Sequence, residues 1–205
     1  MTDLLSGRYP AYDPFWNILG KRNNETQADV PVRSNLSILK YSAVEDGALA
    51  ATKVGCLAAV PVQEGDVISS VTYLIGATAG NTVSAGFVAL YAGKAAGTLL
   101  VQSKSENYAE SIKASEAFKF TLEKSVLITS ENAPKGFIYV VLALVSAVTI
   151  PTAVCTPIPK ACQQEWFTGG PEVLGGTVGT GLGTTAEATL GTVTSKANTP
   201  LVFLR

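Results

Sequence analysis

From residue 54 onward the chain is a succession of short runs rich in β-branched and aromatic residues, each closed off by glycine, proline or asparagine. Material of this kind makes strands joined by turns and offers little for an amphipathic helix. Residues 54–60 form the first run and end at Pro61, which can close a strand but cannot sit inside a central ladder. Glu64-Gly65-Asp66 turns into residues 67–75, and Gly76 to Asn81 is a small-residue loop. In residues 86–91, Phe87, Ala89 and Tyr91 fall on one face and Val88 and Leu90 on the other, and Gly97 precedes a short strand over 98–103. The alternation of residues 117–122 turns Phe118, Phe120 and Leu122 inward and Lys119 and Thr121 outward. Pro134-Lys135-Gly136 is a turn launching residues 137–145, apolar on both faces as at the centre of a sandwich, and residues 201–204 close the chain as a last strand. Only residues 104–116 have helical character, and they are polar enough to read as a single turn or an irregular loop.

About eight strands with long, uneven connections predict an all-β fold, a jelly-roll-type two-sheet antiparallel β-sandwich over residues 48–205. Within it, the glycines and prolines after residue 151 predict a long Gly/Thr-rich loop at about 168–199. Residues 1–47 lack a sustained period and predict an extended N-terminal arm. Its aromatic residues, Tyr9, Tyr12, Phe15 and Trp16, are candidate anchors on a partner, because Tyr and Trp supply large contact area at interfaces. The other reading is that the arm folds back and staples its own domain.

Of the 205 residues 47% are hydrophobic and only 15% charged, against a usual charged share of about 25%. The surface must therefore be closed by Ser, Thr, Asn and Gly, and such surfaces associate readily. With 15 basic and 16 acidic residues and no basic run, the chain is not expected to bind nucleic acid or an anionic membrane surface. The longest apolar run, residues 137–150, falls short of the roughly 20 residues that span a bilayer and is broken by Ser146 and Thr149. The first residues, with Asp3 and then Tyr9, Pro10, Asp13 and Pro14, lack the basic and apolar regions of a secretory signal, so synthesis in the cytoplasm is expected. Cys56, Cys155 and Cys162 read as small buried thiols; Cys155 and Cys162 flank a proline-rich loop and could pair if oxidised.

No histidine is present, which removes Ser-His-Asp and Cys-His catalysis and the commonest general base. Three separated cysteines cannot make an all-cysteine zinc site, so neither metal nor cofactor is expected. Gly179, Gly181 and Gly183 match a phosphate cradle in letters only, since no apolar strand leads in and no lysine follows. The carboxylates Glu45 with Asp46, Glu64 with Asp66, Glu106 with Glu110, and Glu131 all sit among turn residues, where they are normally solvated, and no enzyme activity is expected. The triplets at Asn24 and Asn35 matter as glycosylation acceptors only in a secreted protein. Tyr108, Trp166 and Phe167 fall in predicted loops, where an aromatic can stack on a sugar ring or fill a partner's pocket; Trp166-Phe167 could equally plug its own core.

A particular order of pieces remains: Cys56-Leu57-Ala58-Ala59-Val60-Pro61-Val62, a Gly-Asp turn, a Val/Ile strand, and Ala77-Thr78-Ala79-Gly80. Phe87-Val88-Ala89-Leu90-Tyr91, Gly97-Thr98-Leu99-Leu100, Phe120-Thr121-Leu122, Gly136-Phe137-Ile138-Tyr139-Val140 and Ile150-Pro151-Thr152 follow. In this order residues 60–145 resemble the jelly-roll module of bacteriophage virion surface proteins, found in minor tail and decoration proteins of phages of mycobacteria and related hosts. The resemblance implies a non-enzymatic structural protein of the virion, surface-exposed, of minor tail or fibre type, attached through its arm; a head decoration protein is the alternative. It implies other virion proteins as partners and a homo-oligomer, trimers being common among projecting virus proteins of this architecture. A carbohydrate-binding module gripping a host-surface glycan through Tyr108, Trp166 or Phe167 is the expectation from a different class. The aromatic arm and the Gly/Thr segment depart from the module's usual pattern.

Overall fold

Two antiparallel strands, β3 (Gly55–Pro61) and β8 (Phe137–Ser146), run side by side in the middle of a sheet with almost every side chain buried on both faces. A computed structural model describes residues 33–35, 45–94, 96–157 and 173–205. These belong to one unit, residues 32–205, and among them there is no α-helix. The other strands are β1 (Arg33–Ser34), β2 (Glu45–Ala48), β4 (Val67–Leu74), β5 (Val83–Ala92), β6 (Leu99–Gln102), β7 (Ala117–Leu127), β9 (Thr152–Pro157), β10 (Gly175–Val178), β11 (Val193–Ser195), β12 (Asn198–Pro200) and β13 (Val202–Leu204).

The fold is an all-β sandwich of antiparallel sheets. One layer is a six-stranded sheet in the order β11-β10-β3-β8-β5-β6. The facing layer, expected as one sheet, is divided into a four-stranded sheet, β1-β13-β4-β7, and a three-stranded sheet, β12-β9-β2. A bridge between Ile75 and Ala153 joins these two, and the chain itself passes from one to the other at Leu201, whose N–H donates to the Val154 carbonyl. Pairing is nested, β3 with β8 and β4 with β7, as in a long hairpin folded across two layers.

Period-two alternation decides which core each side chain joins. Cys56, Ala58 and Val60 of β3, Val88 and Leu90 of β5, and Ile138, Val140 and Leu142 of β8 point to the main core between the layers. There they meet Val71, Tyr73, Phe120, Val202 and Leu204 from the four-stranded sheet and Ala153 and Cys155 from the three-stranded one. Leu57, Ala59, Phe87, Ala89, Tyr91, Phe137, Tyr139 and Val141 point the other way and make a second core on the outer face of the six-stranded sheet. The doubly apolar reading of residues 137–145 and the face assignment in β5 and β7 agree with this arrangement.

The long loop expected at 168–199 is replaced, over its described part, by strands β10, β11 and β12 and a crossing segment. Gly175 and Gly176 are strand residues and not turn residues. A Cβ on Gly176 would lie 2.5 Å from the Thr194 carbonyl oxygen, so the bare backbone lets β11 close onto β10. The arm boundary expected at 47 also falls inside a strand. β2 pairs with β9, and β1 pairs with β13 through Arg33 opposite Leu204 and Ser34 opposite Phe203. The Arg33 guanidinium holds Asp66 through two hydrogen bonds of 2.6 and 3.0 Å, which ties this short strand to the 63–66 turn.

Candidate functional site

Tyr108 needs correction first. It lies in the irregular stretch between β6 and β7, as expected, but it is 6% exposed rather than presented to solvent. Its ring packs edge-on against Phe118 at 5.5 Å and Phe120 at 5.3 Å, and its hydroxyl donates to the Lys104 carbonyl. Its backbone N–H reaches the Val83 carbonyl and its own carbonyl accepts from Ser111 and Ile112, which makes the single turn that brings Ile112 into the core beside it. With the ring enclosed on this side of the sandwich, Tyr108 has no face to stack on a sugar. Tyr9, Tyr12, Phe15, Trp16, Trp166, Phe167 and Cys162 lie outside the described residues.

A different arrangement occupies the outer face of the six-stranded sheet. Residues 179–192 leave β10, cross that face to its far edge at β6, and return to β11. Val178, Leu182, Ala186 and Leu190 are buried in the second core, while the residues between Leu182, Ala186 and Leu190 are exposed. Backbone hydrogen bonds fix the path: Leu182 N–H donates to the Lys53 carbonyl, Leu99 N–H to that of Ala188, and Leu190 N–H to that of Gly97. Ala186 N–H donates to the Gln102 side-chain oxygen, and Thr98 and Thr189 form an isolated bridge. The segment therefore acts as a strap with an anchor at every fourth residue, held in irregular backbone between β10 and β11.

Under the strap a shallow cleft is lined by Phe87, Tyr91 and Val141 on the sheet and Leu182, Glu187 and Thr189 on the strap. Its volume of about 10 Å³ has room for roughly one water molecule. The Tyr91 hydroxyl donates to the Glu187 carbonyl at 3.0 Å. Burial pushes the Tyr91 phenol up to about 12, and the nearby Glu187 carboxylate adds to the rise, so this tyrosine is a neutral donor across the physiological range. The arrangement fastens the strap to the sheet. Tyr91 lies on the face shared with Phe87 and Ala89, as expected, but its link to Glu187 and the strap anchors was not foreseen; the available signal was the apolar residue at 178, 182, 186 and 190, hidden by the glycines and threonines between.

The main core contains a second polar cluster where all three sheets converge. Cys56 comes from the six-stranded sheet, Cys155 from the three-stranded sheet and Tyr73 from the four-stranded sheet. Cys56 and Cys155 are free and buried, as the sequence reading of small buried thiols expected. Burial raises both thiols, Cys155 to about 12 with the neighbouring Cys56 adding to it. The Tyr73 hydroxyl, fully buried, has no hydrogen-bond partner among the described residues, and neither has that of Thr156. Among the same residues no group of three His, Cys, Asp or Glu side chains comes together as metal ligands would.

Raised thiols have a measurable consequence. In the unfolded chain they ionise near the ordinary value of about 8.5, while in the fold they stay protonated. Their contribution is thus fully present below that pH and is lost as pH climbs from there toward the folded value. Unfolding free energy is expected to fall by about 1 kcal/mol between about pH 8 and 9.5 on account of Cys155, with Cys56 acting in the same direction. Urea titrations at the two pH values check it, and Cys155→Ala should flatten the dependence.

No protein-family model matches the chain, and no curated protein matches it.

Proposed function

We propose that the chain is a non-enzymatic structural component of a bacteriophage particle, a rigid surface platform of minor tail or fibre type attached through its N-terminal residues. The observation that carries this reading is a central sheet packed on both faces, with the cores formed by the described residues filled by apolar side chains. Domains whose task is contact between copies and neighbours need such stiffness, because a docking surface that keeps its shape loses less entropy on binding. Further support comes from the segments that carry the resemblance to phage surface modules. They fall on strands: Cys56 to Pro61 on β3, Phe87 to Tyr91 on β5, Phe120 to Leu122 on β7 and Phe137 to Val140 on β8. The nested pairing of β3 with β8 and β4 with β7 favours the jelly-roll type of sandwich.

The reading places the polypeptide in the finished virion among other virion proteins, as a homo-oligomer. Repetition on a symmetric particle would then turn weak single contacts into firm attachment. Because β1 begins at Arg33 and belongs to the sandwich, the attachment segment to remove is residues 1–31, the unit that precedes it. Quantitative mass spectrometry of purified particles should find the full chain. A chain lacking residues 1–31 should fold yet be incorporated at least about tenfold less. Particles devoid of the full chain would sink the virion role; unchanged incorporation of the shortened chain would sink attachment through these residues.

A further inference from the structure

We propose that residues 179–192 are an exchangeable strap: they open as a unit while the sandwich stays folded, and the strap of a second copy of this chain takes the vacated place. Three buried side chains, Leu182, Ala186 and Leu190, and a handful of hydrogen bonds hold the whole crossing segment to the sheet. The residues between the anchors are exposed and attach only through backbone contacts of Glu187, Ala188 and Thr189. At the β10 end the segment turns on Gly179 and Gly181, with φ of 65° and 74°, conformations that glycine adopts freely and that let the chain swing there at little cost. At the other end Gly191 and Thr192 lead into β11, three residues long and paired, among the described residues, with β10 alone.

What lies beneath determines the occupant. Opening bares Phe87, Tyr91 and Val141, an apolar floor that water solvates poorly. Refilling it requires apolar groups at intervals of four residues. A backbone must also run past Lys53, Gly97, Leu99 and Gln102 at the right heights, with a carbonyl placed for the Tyr91 hydroxyl. The identical segment of another copy meets all of these conditions, since exchange reproduces every contact of the closed form. The balance between closed monomer and joined copies is then set by concentration and by strain at the hinges, as in other exchanges of an identical element. This deepens the homo-oligomeric part of the proposed particle role by naming how copies join. It is tested on purified protein, so its failure would leave the particle experiment to decide that role.

Thr98 and Thr189 are bridge partners and both are exposed, so cysteine at either site is compatible with the fold. In a Cys162→Ser background of the full chain, one preparation carries Thr98→Cys and another Thr189→Cys. They are mixed at high concentration and oxidised with a low-molecular-weight disulfide, which takes up the two electrons as the new S–S bond forms and the two thiol protons leave. The expected result is a covalent heterodimer at least about tenfold above either preparation alone. A chain carrying both substitutions, oxidised as a dilute monomer before being concentrated, should lose the ability to dimerise. Hydrogen exchange of the unsubstituted chain should show the Leu182 and Leu190 amides about a hundredfold faster than those of β8. Heterodimer no higher than the controls, dimerisation of the locked chain, or strap amides as slow as β8 would each overturn the proposal.

Discussion

Replacing Tyr108 with alanine is expected to destabilise the sandwich by about 3–5 kcal/mol, the usual cost of removing a large aromatic from a core. The ring is the meeting point of an aromatic cluster. Besides its own contacts, Phe118 and Phe120 pack edge to face at 4.8 Å, and Phe120 does the same with Tyr73 at 6.2 Å. Deleting it leaves a void that the four-stranded sheet and the β6–β7 connection cannot both close, because Tyr108 N–H is tied to Val83 and Ile112 sits beside it in the same core. Tyr108→Phe separates the two parts of the side chain. It keeps the packing and gives up the hydroxyl's hydrogen bonding, to the Lys104 carbonyl and with Ser103 and Glu106, so a loss of about 1 kcal/mol is expected. Urea midpoints of the two variants measure both effects. A change within about 0.5 kcal/mol for the alanine variant, the level usual at exposed positions, would return Tyr108 to the surface role its loop position suggested.

The contrast between Tyr108 and Phe120 shows what can be read from a sequence of this type and what cannot. Phe120 is flanked by Lys119 and Thr121 in strict alternation, so its inward direction is a local property of the strand. Tyr108 sits in a polar stretch with no period, and its burial depends on Val83 and Phe118 arriving from elsewhere in the chain. The strap is a harder case of the same kind. Its anchors recur every four residues, a spacing that by itself does not tell a helix from a strand, and its hydrogen bonds reach residues some eighty or more positions away, such as Ala186 with Gln102 and Leu190 with Gly97. Division of the facing layer was equally hidden, since it turns on Leu201 leaving one sheet and Val202 joining another within a single peptide unit. β1 escaped notice because two residues carry no period at all; only their pairing with the end of the chain makes them a strand.

That pairing ends in a side chain, and the second large effect is expected there. Asn35 is 1% exposed, its Nδ2 donates to the Pro200 carbonyl at 2.7 Å, and its Oδ1 accepts from Val202 N–H at 2.9 Å. One amide thus stands in for the backbone of a neighbouring strand at the point where the chain changes sheets, since Leu201 N–H already points the other way to Val154. Asn35→Ala leaves a buried carbonyl and a buried N–H without partners, at about 1–3 kcal/mol for each, so a total loss of about 2–5 kcal/mol is expected. Asn35→Asp keeps an acceptor for Val202 but sets a second oxygen against the Pro200 carbonyl, and should do no better than alanine. Urea unfolding gives the magnitude, and faster exchange of the Val202 amide, with β8 amides slowed or hastened only in step with global stability, locates the loss at the sheet change. The same burial takes the Asn35 amide out of reach of a glycosyl donor in the folded chain.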